Sequence, residues 1–98
     1  MQNTKIIRDI LSEDGYSSSD ELVKDWASFV ALSRIEQYRS EKEYFEERYG
    51  MSLQKFEEEI HAQKGFEDFQ QEGDLEDWEF ACKALSWWED KFRELQRA

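Results

Sequence analysis

A carboxylate and an imidazole stand three residues apart at Glu58 and His61. On a helix that spacing puts both groups on one face, as in helical bundles that hold paired iron ions. Such a centre needs two of these pairs and further glutamates pointing into the core. His61 is the sole histidine. Its surroundings are solvent-like, so the pair reads as a solvated helix face and no metal ligand is assigned. One histidine also leaves no credible Ser-His-Asp set. Cys82 falls inside an aromatic stretch without a nearby base and reads as packing. No glycine-rich loop is present to cradle a phosphate.

The remaining chemical candidates are the carboxylate pairs Glu43 with Glu46 or Glu47, and Glu76 with Glu79. They loosely resemble the magnesium-holding pairs of all-α nucleotide pyrophosphohydrolases. That family combines E-x-x-E with E-x-x-D, and E-x-x-D occurs nowhere in this chain. With 24 acidic residues, E-x-x-E pairs arise by chance. The expectation is a protein that is not an enzyme, with no catalytic, cofactor-binding or metal-binding residues and no cofactor.

Bulk properties point toward protein contacts. The 98 residues carry a formal charge of −11, and 15% of them are aromatic. An acidic surface repels phosphate backbones and anionic membranes, which excludes direct nucleic-acid or membrane partners. Its natural complement is a basic protein. The aromatic share argues against disorder. No apolar run approaches the ~18 residues of a membrane span. The start MQNTKIIRDIL lacks the apolar core of a signal peptide. A single cysteine suits a reducing compartment, so a cytoplasmic location is expected.

The elements that must position any site are helices. Proline is absent, which removes the main helix breaker. The spacing predicts one all-α domain over 1–98: a short helix over 4–13, a linker over 14–18, and a helical core over 19–97. Ile6, Ile7, Ile10 and Leu11 share a face of the first helix, and Gly15 ends it. Ser18 and Glu21 form a capping-box pattern. The long central helix then runs to Tyr49, with Gly50 as its stop, or breaks near Ser40, where Ser40 and Glu43 repeat the pattern. Ala31, Ile35, Tyr38, Phe45 and Tyr49 form one stripe of it; Leu22, Trp26 and Phe29 form another. The run WASFVAL (26–32) is apolar nearly all round, which calls for cover on more than one side. Either the first and third helices cover it, or the chain is a helical homodimer through Trp26, Phe29, Val30, Ile35 and Tyr38. The homodimer is the expectation taken forward.

Ser52 caps the third helix, with Met51 placed to staple onto Phe56. Gly65 ends or kinks that helix, and residues 66–73 read as an acidic connector. Asp74 is expected to cap the fourth helix. There Trp78, Ala81, Leu85, Trp88, Phe92 and Leu95 make an unbroken three-four seam. Phe80, Ala84 and Trp87 make a second stripe beside it. That stripe packs on the first helix or a second copy, or it is an aromatic surface for a partner. Residues 41–79 hold 14 acidic and 4 basic residues, −10 of the whole chain's −11. The candidate partner-binding residues are Phe66, Glu67, Asp68, Phe69, Phe80 and Trp87.

From Tyr44 onward the chain resembles small acidic antitoxins of prokaryotic toxin–antitoxin pairs that lack an obvious DNA-binding fold. The likeness lies in Tyr49-Gly50-Met51-Ser52-Leu53, Phe56-Glu57, Phe66-Glu67, Asp74, Trp78-Glu79 and the leucine- and charge-rich terminal helix. It implies neutralisation of a toxin, often a ribonuclease or tRNA-modifying enzyme, by protein contact. An acidic strip beside aromatic anchors suits a basic RNA-binding groove. The alternatives are a structural or accessory helical dimer with no inhibitory role, and the metal-dependent nucleotide hydrolase considered above.

Overall fold

The computed structural model describes residues 2–63 and 68–98. Among them every regular element is helical: α1 (Gln2–Glu13), α2 (Ser19–Tyr49), α3 (Leu53–Ala62) and α4 (Phe69–Arg97). The ends of these helices follow from local chemistry. Gly15, at φ 94°, stops α1. The N–H of Gly15 donates to Ser12 O at 3.1 Å and that of Tyr16 to Leu11 O at 2.8 Å, the paired bonds of a Schellman motif. Ser18 Oγ accepts from Glu21 N at 3.2 Å and starts α2. Glu21 reaches back one residue further than a capping box requires. Its carboxylate accepts from both the backbone N–H (3.0 Å) and the hydroxyl (2.7 Å) of Ser17.

No break occurs near Ser40. The 31 residues of α2 are continuous, about 47 Å at 1.5 Å per residue. Gly50 ends the helix at φ 62°, its N–H bonded to Glu46 O at 2.8 Å. Ser52 caps α3 by accepting from Lys55 N at 3.2 Å. That helix ends at Ala62, before Gly65, which lies outside the described residues.

The start of α4 differs from the sequence reading. Asp68, not Asp74, is the N-cap: its Oδ1 accepts from Gln70 N (3.0 Å) and Gln71 N (3.2 Å). Residues 69–73 are therefore the first turns of the helix and not a connector. Gly73 looked like a boundary, but a helix absorbs a single glycine for about 1 kcal/mol, less than two capping bonds and the packing of Leu75 return.

Helices α2 and α4 lie antiparallel. Tyr49 bonds Asp74 at one end, and Lys24 Nζ donates to the main-chain oxygen of Ala98 at 2.8 Å at the other. The seam is Ala31, Ile35 and Phe45 on α2 against Leu75, Trp78, Ala81 and Leu85 on α4, all buried. Trp88, Phe92 and Leu95 continue it half-buried. Helix α3 folds over one end of this hairpin. There Phe45, Phe56, Leu75 and Trp78 form the core cluster, flanked by Tyr49, Met51, Leu53, Ile60 and Cys82. Trp78 is its hub, 0% exposed. The rings of Phe45 and Tyr49 stack on it at 5.8 and 6.2 Å, and Phe56 meets it at 5.5 Å. Its indole N–H meets no acceptor among the described residues.

The result is a rod of 66 × 27 × 19 Å with a radius of gyration of 20.8 Å, where a compact domain of this length has about 13 Å. Its accessible surface is 7872 Å²; a compact monomer of this mass exposes about 6,000 Å². No helix among the described residues is long and apolar enough to cross a membrane.

Candidate protein-interaction surface

The antiparallel pairing sorts the charge. The described residues of 41–79 occupy the end where α3 folds over, and that stretch of sequence carries 14 acidic against 4 basic residues. The opposite end, built from residues 1–40 and 80–98, carries 10 acidic and 9 basic residues and is nearly neutral. The two ends also differ in what covers their apolar residues.

At the neutral end cover is missing. Trp26 is 69% and Phe29 74% exposed, and Val23 and Leu32 are exposed beside them. Helix α1 touches only the beginning of α2 and leaves Ile6, Ile7 and Ile10 in solvent. Helix α3 sits at the other end of the rod. Within one chain WASFVAL is therefore covered on the α4 side only, where Ala31 is buried. Of the residues expected at a dimer interface, Ile35 is spent on the α4 seam, 6% exposed. Tyr38 is half-buried with its ring edge-on to Phe80 at 5.8 Å. Trp26 and Phe29 stay exposed, and Val30 is half-buried.

On the outer side of α4, positions 69, 73, 76, 80, 84 and 87 follow one another at three- and four-residue steps and form one stripe. Starting the helix at Phe69 is what brings Phe69 into line with Phe80 and Trp87. These three are 78%, 62% and 52% exposed. Trp87 is braced by Trp88, whose ring meets it edge-on at 5.0 Å, and by the Lys91 ammonium 5.6 Å above its ring. Such a side chain is held in place while about half of its surface stays in solvent. Phe66 and Glu67 lie outside the described residues. Asp68 has a structural use, since its carboxylate caps α4.

Between the stripe and α2 runs a groove of about 610 Å³ lined by Gln37, Tyr38, Ser40, Glu41, Tyr44, Phe45, Asp77 and Phe80. A second groove, of about 740 Å³, lies between Leu32, Ile35, Glu36, Arg39, Ser40 and Glu43 of α2 and Glu89, Phe92, Arg93 and Gln96 of α4. Among the described residues that line the first, there are carboxylates and no Lys or Arg. In the second, Arg39 pairs with Glu89 at 3.8 Å.

The residues weighed for chemistry do not assemble. Glu58 and His61 are exposed on α3. Among the described residues no three His, Cys, Asp or Glu side chains converge on a point that could hold a metal ion. Burial pushes the Cys82 thiol above its ordinary pKa, against the pull of nearby Lys42, so little nucleophilic thiolate forms at neutral pH. One polar cluster escaped the sequence reading. Arg48 lies 3.4 Å from Asp74, which also accepts from the Tyr49 hydroxyl, and Arg48 donates to Tyr44 Oη at 3.0 Å. Burial first, then the Asp74 hydrogen bond and charge, raise the Tyr49 pKa. Asp74 and Tyr49 are 25 residues apart, and no local pattern links them.

No protein-family model, no curated protein and no solved structure matches the chain.

Proposed function

We propose that the protein is a non-enzymatic interaction module that binds a basic protein partner through the outer face of α4. The observation that carries it is the exposed aromatic line of Phe69, Phe80 and Trp87, which starts within the acidic end at Phe69 and runs past its border at Phe80 to Trp87. Rigid aromatic side chains are the residues that dominate binding energy at protein interfaces. The surrounding carboxylates speed encounter with a basic surface and select against acidic ones. Neutralisation of a toxin is the specific form that the antitoxin resemblance gives to this proposal.

The test is affinity capture from cells of the native host, with wild type and a Phe69→Ala/Trp87→Ala variant side by side. Both side chains are largely exposed, so the variant keeps its fold. Wild type should retain a basic protein that elutes as salt is raised. The variant should bind it more weakly by about 2 kcal/mol or more, as hot-spot truncations do. Equal retention by the two forms, or a retained set with no basic member, overturns the proposal.

A second reading, self-association, is favoured by a separate observation. The apolar surface of α1 and of Val23, Trp26, Phe29 and Leu32 lies at the nearly neutral end. Two copies meeting there keep their acidic ends apart. The proposed dimer leaves the α4 face of the acidic end free, so the two readings are compatible.

A further inference from the structure

We propose that the groove between α2 and α4 at Tyr38, Glu41, Tyr44, Asp77 and Phe80 is a receptor for arginine side chains of a basic segment on the partner protein. It rests on the interaction reading above and names the chemistry by which this surface selects its partner. Glu41 and Asp77 come from different helices and line one groove, and among the described residues no Lys or Arg lines it with them; Arg48 reaches only its edge, at the Tyr44 hydroxyl. The opposite groove of the same hairpin sets Arg39 and Arg93 against three carboxylates, Glu36, Glu43 and Glu89, so most of its charge is offset from within. Two carboxylates that lack a cation in their own groove are complementary to a cation from outside.

The walls favour a guanidinium over an ammonium. Tyr38 and Phe80 meet edge-on at 5.8 Å, and Tyr44 and Phe45 do so at 5.2 Å. The Tyr44 ring is about half exposed, and its hydroxyl is held by Arg48 at 3.0 Å. A planar guanidinium stacks on aromatic faces while its N–H fork engages a carboxylate. An ammonium is a point charge with no plane to stack. Glu41 is also oriented in advance. Gln37 Nε2 donates to it at 3.4 Å, and Arg34 fixes the other end of that amide at 2.8 Å. Holding the acceptor in place lowers the ordering cost of binding.

The experiment titrates the full chain with two synthetic peptides of equal length and charge, one carrying arginines and the other lysines at the same positions. Calorimetry gives the affinities. The arginine peptide should bind about threefold or more tighter, the margin that stacking on an aromatic face supplies. Glu41→Gln with Asp77→Asn should weaken the arginine peptide about tenfold or more, as loss of charge-assisted bonds does. Glu36→Gln with Glu43→Gln removes the same charge from the opposite groove and should change affinity less than about twofold, the effect of diffuse charge alone. Equal affinities for the two peptides, or equal weakening by the two double variants, overturn the proposal. Circular dichroism confirms that each variant is folded. In the capture experiment, a partner lost with Phe69→Ala/Trp87→Ala but retained with Glu41→Gln/Asp77→Asn overturns the groove and leaves the interaction module standing. Peptide selectivity with no partner captured does the reverse.

Discussion

Three tryptophans on one helix face three different environments, and that assigns them different work. Trp78 lies fully buried under rings from α2 and α3. Trp88 is half-buried in the α2–α4 seam, and Trp87 is about half in solvent. Trp78→Ala should cost about 3–5 kcal/mol, as truncation of buried aromatics does. Domains of this size have about 5–15 kcal/mol in all, so that variant is close to unfolding. Trp87→Ala should stay within about 0.5 kcal/mol of wild type, the range of surface substitutions. Urea melts of the two variants measure both. A loss at Trp87 as large as that at Trp78 means that Trp87 supports the fold and is not free to anchor a partner. The difference was not legible in residue type, because W, W and W carry identical hydrophobicity. Their offset along a 3.6-residue repeat gave a partial answer: it placed 78 and 88 on one seam and 87 beside it. Only the meeting of α3 with α4 made Trp78 the hub.

The extent of α4 has a consequence at the level of the element. Gly73 is an interior helical residue, and a methyl group at its Cα would meet nothing within 4 Å. Gly73→Ala should therefore raise stability by about 0.5–1 kcal/mol, the helix-interior difference between the two residues. Gly50 is the opposite case: its φ of +62° is left-handed. Gly50→Ala should lower stability by about 1 kcal/mol. Thermal melts of the two variants should move in opposite directions. An unchanged or lowered Tm for Gly73→Ala places residue 73 outside the helix and restores a cap at Asp74. The signals that read correctly from sequence, Ser18, Gly50 and Ser52, all act within four residues of themselves. Asp68 uses the same kind of bond, but Gly73 and Asp74 offered a competing start.

At the scale of the whole molecule the rod exposes 7872 Å², nearly 2,000 Å² above a compact chain of its mass. A standard protein–protein interface removes about 800 Å² from each partner, so self-association through the neutral end has surface to draw on. Sedimentation equilibrium at micromolar concentration should give twice the 11.9 kDa chain mass. Added salt should strengthen the association by screening the acidic ends. Trp26→Glu with Phe29→Glu should return the mass of one chain. A wild-type protein that sediments as one chain overturns the dimer, and then α1 and WASFVAL face solvent in the free protein.

The sequence by itself determined that the chain is all-helical, where three of its four helices begin or end, and which stripe of α4 forms a seam. Those features depend on caps, glycine φ angles and periodicity, all of which act within a few residues. Tertiary structure alone decided the rest. It paired Tyr49 with Asp74, gathered the charge of residues 41–79 at one end, and left WASFVAL and α1 uncovered at the other. It also set Glu41 and Asp77, 36 residues apart in sequence and on different helices, into one groove that no described Lys or Arg lines. These outcomes depend on which faces of distant helices meet. A hydrophobic pattern says that a face must be buried, but not which partner buries it.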